Sequence, residues 1–356
     1  MALHPYQSLG HDAFWKRSVA GPAIQDVDPV GEAKFILARN HKVATAGSCF
    51  AQHIARHLRQ CGFNYLVTES AHPLVPSHLA EHYNFGTFTA RYGNVYTSRQ
   101  MVQLLRRAYG LFVPHEDVWR RDDGALIDPF RPQIQPHGFS TMEEFDADRR
   151  QHFAAVRKAI ESLDCFVFTL GLTECWRSQL DGAVFPVCPG VSGGTFDPNA
   201  HEFHNLTFNE VLADLHALWT FVHNINPNAR MILTVSPVPL VATASGQNVL
   251  TATTYSKSLL RAAAGEFSSN LDDVAYFPSY EIITGSYSKG QYFAPDLRSV
   301  TEAGVSHVMR LFLKHYTDVT KVADSQIQAS DNVLGAMDTT ELVAVVCEEE
   351  ALRKFE

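Results

Sequence analysis

Val43-Ala44-Thr45-Ala46-Gly47-Ser48-Cys49-Phe50-Ala51 decides how the rest of this chain is read. Small and β-branched residues run up to Gly47-Ser48, and from there the apolar positions Ala51, Ile54, Ala55 and Leu58 follow a helical period. The pattern predicts a strand, a tight turn and a helix. A hydroxyl in such a turn stands at the carboxyl edge of a sheet, exposed to ligand, with backbone N–H groups at the helix start to hold an oxyanion. Ser48 therefore has two readings: a nucleophile, or simply the N-cap of the helix, a position that serine favours.

Outward from this stretch the chain alternates strands and helices. Gly62 ends the first helix, and Phe63-Asn64-Tyr65-Leu66-Val67 reads as a strand, giving a βαβ unit whose right-handed crossover makes the strands parallel. Ser98 is expected to cap a helix that stops at Gly110. Thr141 with Glu144, and Thr207 with Glu210, are capping boxes opening two longer helices. Strands are expected at 165–170, 230–235 and 274–277, and helices at 252–268 and 301–315. The run Cys165-Phe166-Val167-Phe168-Thr169-Leu170 is apolar throughout, as in a sheet covered on both faces. Two Pro- and Gly-containing stretches, 110–140 and 177–206, read as insertions. The first is expected over the site, with Trp119 and Phe130 either walling a substrate or packing. Residues 317–356 change character: a polar stretch leads to an amphipathic helix capped by Asp338, which would dock on the core or on a second subunit.

Composition narrows the functional classes. The 356 residues are 46% hydrophobic and 19% charged, as in an ordinary globular protein. A formal net charge of -9 without any Lys/Arg tract disfavours nucleic acid. No apolar run is long enough to span a bilayer, and Met1-Ala2-Leu3-His4-Pro5-Tyr6-Gln7 is not a signal segment. Six cysteines without a C-x-x-C pair suggest buried thiols in a reducing compartment, so a cytoplasmic location is expected. His53 with His57 and His78 with His82 are one helical turn apart, and His201 and His204 flank Glu202 at close spacing. None has the His-Glu-x-x-His placement, so no metal is expected and no cofactor is implied.

Gly47-Ser48-Cys49-Phe50-Ala51 resembles the five-residue signature of the GSCFA family, and the likeness extends from about Phe14 to Tyr316. Phe168-Thr169-Leu170-Gly171-Leu172-Thr173-Glu174-Cys175-Trp176, Glu202-Phe203-His204-Asn205-Leu206 and Leu233-Thr234-Val235-Ser236-Pro237-Val238-Pro239 are the other similar blocks. That family is grouped with the SGNH hydrolases, serine esterases and acyltransferases. The resemblance implies a three-layer α/β/α sandwich with a central parallel sheet, SGNH/flavodoxin-like, with loop insertions. It implies an O-acyl esterase or acyltransferase acting on a small-molecule or carbohydrate acyl substrate.

Carried over by position, Ser48 would be the nucleophile and Gly86, in an Asn-Phe-Gly-Thr loop, a second oxyanion donor. Gly171-Leu172-Thr173-Glu174 stands where the superfamily has Gly-x-Asn-Asp, so Thr173 would donate through its hydroxyl and Glu174 would orient a substrate or base. The departure that matters most is Asp296-Leu297-Arg298-Ser299, with serine where Asp-x-x-His needs its base. His204 is the histidine best placed in the sequence to substitute. His307 is expected at the surface or rim of the last helix, and His53 and His57 read as structural. Cys49, at a helix start that favours a thiolate, is a rival nucleophile. A protein that keeps the pocket but lacks the base, binding a ligand without turning it over, is the alternative.

Overall fold

The structure, a computed structural model, describes residues 4–318 and 351–352. The expected C-terminal helix from Asp338 lies outside these residues, apart from Ala351 and Leu352. The described chain divides into two compact units. One holds Arg39–Tyr276 with Ala351 and Leu352, the other the residues up to Ala38 and those from Phe277 onward.

The larger unit is α/β. Its elements in order are β1 (Val43–Gly47), α1 (Phe50–Gln60), α2 (Ser77–His82), α3 (Ser98–Ala108), β2 (Trp119–Arg120), β3 (Leu126–Ile127), α4 (Met142–Ser162), β4 (Cys165–Leu170), β5 (Glu174–Ser178), β6 (Val184–Phe185), β7 (His201–Asn205), α5 (Phe208–Ile225), β8 (Arg230–Val235), α6 (Val249–Ser269) and β9 (Val274–Tyr276). The central sheet is parallel throughout, in the order β1-β4-β8-β9, and is flanked by helices. Every residue of β1 and β4 is buried, which explains their mostly apolar composition. The α1 helix packs on β1 and β4, and α6 on β8 and β9.

Residues 63–67 do not extend the sheet as a full strand. They pair with β1 through one parallel bridge, Val43 with Tyr65, fastened by Val43 N–H to Asn64 O (3.0 Å) and Leu66 N–H to Val43 O (2.9 Å). Counting that bridge, β1 lies between a segment that follows it directly and β4, which follows a long crossover. That reversal is the topological switch point, the place where open α/β sheets bind ligands.

The helix starts follow their chemistry closely. Thr207 and Glu210 form the expected capping box, and the Thr141 hydroxyl accepts from Glu144 N–H. At α3 the cap is Thr97, boxed with Gln100, while the Ser98 hydroxyl turns inward to Asp214 Oδ2 at 2.9 Å. Within the two insertions, β2 and β3 form a hairpin and β6-β5-β7 an antiparallel sheet. Trp119, 1% exposed, packs on Phe185, and Phe130 lies between Phe185 and the Arg107 guanidinium, so both rings are packing aromatics.

The smaller unit contains α7 (Ser279–Thr284) and α8 (Glu302–Tyr316), capped by Thr301. Asp28 accepts from Lys314 Nζ and His315 Nε2, each at 2.7 Å, tying the early chain to α8. His307 is buried rather than at a rim. Its Nε2–H donates to Val27 O (3.0 Å), and its Nδ1 accepts from the Tyr292 hydroxyl (2.7 Å).

Burial, helped by Arg310, lowers the His307 imidazole from 6.5 to about 4, so the folded state requires the neutral ring. Its contribution to stability is whole above pH 6.5 and disappears as pH falls toward 4. Urea unfolding measured from pH 7 to pH 4 is expected to show this loss. The slope against pH should be shallower in His307→Gln by up to about one proton; an unchanged slope would contradict the assignment.

Candidate active site

The turn after β1 is built by close backbone approach. Gly47 has φ +136, and a Cβ there would lie 2.2 Å from Thr169 O, so only glycine fits. Ser48 N–H then donates to Thr169 O (3.1 Å), and Ser48 O accepts from Ala51 N–H (2.8 Å) as α1 begins. The N-cap of α1 is Cys49, without a side-chain capping bond, so the Ser48 hydroxyl does not cap the helix. The positive end of the α1 dipole therefore has no side-chain cap.

Ser48 is not open to solvent, as a rim position would have it: it is 3% exposed. The segment between Tyr92 and Thr97 closes the turn. Val95 N–H donates to Gly47 O (2.8 Å), while Tyr96 O accepts from both Gly171 and Leu172 N–H (2.9 Å each). Gly171 in turn presses against Ser48, where an added Cβ would stand 2.9 Å from the serine Cβ.

Inside this closed turn the hydroxyls are unpaired. Ser48 Oγ, Thr169 Oγ1 and Thr173 Oγ1 are three of the four buried hydroxyls without a hydrogen bond among the described residues. Thr169 is opposite Gly47 in the β1–β4 register, and Thr173 is two residues past Gly171. An unsatisfied buried hydroxyl costs roughly 1–3 kcal/mol. Ser48 and Thr169 at the facing ends of β1 and β4, with Thr173 in the loop that follows, put such hydroxyls at the topological switch point, where a site kept for a ligand is expected.

Two residues of α6 brace the loop after β4. Thr173 N–H donates to Ser256 Oγ at 3.0 Å, and Lys257 Nζ donates to Gly171 O at 2.6 Å. Lys257 is 1% exposed. An amino group is thus held on the carbonyl of the same glycine that touches Ser48.

The remaining expected residues are placed as follows. Glu174 opens β5, half-buried, and its Oε1 accepts from Thr243 Oγ1 (2.7 Å); burial raises its carboxyl. Gly86 gives its carbonyl to Arg59 Nη1 (2.7 Å), which puts it beside the C-terminal half of α1 rather than at the Ser48 end. Its expected oxyanion role is therefore not supported by its position. His204, on β7, bonds Glu210 Oε1 through Nε2 (2.8 Å), and no hydrogen bond joins it to Ser48. Cys49 is buried. Asp296 belongs to the other unit, where Oδ2 accepts from the Ser299 hydroxyl (2.6 Å) and Oδ1 from Arg298 and Ser299 N–H. Ser299, at the position where a histidine is expected, thus donates to Asp296. His53 and His57 are held neutral, burial pushing them down to about 3 and about 4, as structural histidines on α1 are. Among the described residues no His/Cys/Asp/Glu cluster has metal-binding geometry.

The model of the GSCFA family matches residues 42–312. The chain belongs to the GSCFA family. No curated protein matches it. Among solved structures it is similar to a proposed platelet activating factor from Streptococcus pneumonia, with 13% identity and a TM-score of 0.27 over 43% of this chain. That match spans 60% of the streptococcal chain, less than two thirds of it. It is also similar to a Clostridium thermocellum family 3 carbohydrate esterase, with 10% identity and a TM-score of 0.33 over 83% of this chain and 98% of that one. No described helix is long and apolar enough to cross a membrane.

Lys257, Ser256 and the Tyr92–Thr97 segment are the residues sequence reasoning missed. Lys257 carried a signal: with Thr253, Leu260 and Ala264 it falls on one stripe of α6, and a lysine on such a stripe is out of place. Since the Ser48 hydroxyl is buried and unpaired, Ser48→Ala is expected to leave stability unchanged or raise it by about 1–2 kcal/mol. Urea unfolding of the two proteins measures this; a clear loss of stability would mean that the hydroxyl has a structural partner after all.

Proposed function

We propose that this protein is a serine acyl-transfer enzyme, an O-acyl esterase or O-acyltransferase, with Ser48 as its nucleophile. The observation that carries the reading is the buried, unpaired Ser48 hydroxyl, with the unpaired Thr169 on the facing strand, at the switch point of a parallel sheet. Membership of the GSCFA family supports it. Ser48 Oγ attacks the ester carbonyl carbon, the bond to the leaving alcohol breaks, and that alcohol takes up the proton given by the serine. Water or an acceptor hydroxyl then releases the acyl group. The oxyanion is held by the Thr173 hydroxyl.

Lys257 is the activating group, in place of an imidazole. Its Nζ is held on Gly171 O, next to the carbon packed against Ser48, and serine–lysine pairs are a recognised variant of serine activation. His204 and Asp296 are assigned no step, each being committed to a neighbour. A sugar or glycoconjugate is the acceptor side of the ester, following the habit of the wider SGNH group. A cytoplasmic setting follows from the cysteine usage. A second reading, a ligand-binding protein without turnover, is favoured by Ser299 standing in the place of a base and donating to Asp296.

A fluorophosphonate followed by mass spectrometry is expected to leave its adduct on Ser48, with none on Cys49. Labelling of Lys257→Met should be slower by about 100-fold or more, the usual scale of general acid–base catalysis, with Lys257→Arg failing to restore its pH profile. An unlabelled Ser48 in folded protein, together with retained ligand binding, would favour the second reading.

A further inference from the structure

The segments leaving the carboxyl ends of β4 and β8, with residues of the β6-β5-β7 sheet, line a half-open pocket of about 170 Å³. Its wall is mainly apolar, from Leu172, Trp176, Val187, Phe203, Leu240 and Ala242. The carboxylic side chain that reaches it, Glu174, is already bonded by Thr243, and its raised carboxyl marks a place poor in water. A charged ligand group would lose its hydration there without a free partner, whereas an apolar group gains by about 25 cal/mol per Å². The size is close to that of an apolar cavity of about 150 Å³ known to hold benzene. Leu172 links this space to the site: the residue before it presses on Ser48, and its own side chain lines the cavity.

We propose that this cavity receives the acyl chain of the substrate, an uncharged apolar chain of about four to six carbons rather than acetyl alone. The chemistry rests on the Ser48 reading; the ligand class rests on the cavity. Leu352, from the C-terminal end of the chain, also lines the space and closes part of its wall.

Calorimetric titration of hexanamide into the full-length Ser48→Ala protein tests the cavity without turnover. One-to-one binding is expected, weakened tenfold or more in a second protein carrying Ala242→Trp or, if that variant does not fold, Ala244→Leu. With p-nitrophenyl acetate, butyrate and hexanoate, kcat/KM should rise roughly tenfold from acetate to butyrate, from two buried methylenes. Filling the cavity should bring that ratio toward one, and Leu240→Ala should move the optimum to a longer chain. Absence of hexanamide binding, or equal binding in the filled variants, overturns the proposal. Hexanamide binding that the filled variants lose, with no ester turned over by wild type, would uphold the cavity and defeat the Ser48 reading instead.

Discussion

The close approach of β1 to β4 at their carboxyl ends is the constraint on which the site depends. Gly47 lies so near Thr169 that a methyl group would collide with the carbonyl, and Gly171 packs closely, though less tightly, against Ser48. The two glycines let the turn after β1 and the loop after β4 pack closely, and the same tightness leaves Ser48 buried. A hydroxyl in that space has neither solvent nor a protein acceptor. Its lost hydration is repaid only when something else supplies a hydrogen bond, and that is the logic of a site that is costly when empty.

Around this constraint the rest of the larger unit acts as a brace. Tyr96 O holds two successive amides of the loop after β4, Ser256 holds a third, and Lys257 holds the Gly171 carbonyl. These contacts come from a loop and a helix more than 70 residues from Gly171 on either side in the sequence, apart from nothing but packing to align them. Contacts of this sort hold the loop after β4 in one place against the Ser48 turn.

Much of the framework was legible because it rests on local chemistry. The β4 and β8 runs, the Thr141 and Thr207 caps and the helix after Gly47 depend on residues within a few positions of one another. The strand at 63–67 shrank to a bridge because its pattern specified an extended segment but not a partner along its whole length. The sheet β6-β5-β7 escaped notice since its strands are short and its residues Glu202 to Asn205 are only partly buried, which blurs the alternation that marks a strand. Ser48 was found through a motif, yet its burial was not, because the closing segment at Val95 and Tyr96 lies far off in sequence.

Lys257 sharpens the same distinction between pattern and partner. Helical periodicity places position 257 on an apolar stripe, and from that alone a lysine looks like an error. Burying an ammonium is tolerated only where it is hydrogen-bonded or paired, and the Gly171 carbonyl supplies one such acceptor. A fold that merely needed to fill this space would do so with leucine at no desolvation cost. Retaining an amino group there, on the glycine that abuts an unpaired serine, suits the base that the proposed acyl transfer needs. The out-of-place lysine and the unpaired hydroxyl account for each other, and neither is accounted for by packing alone.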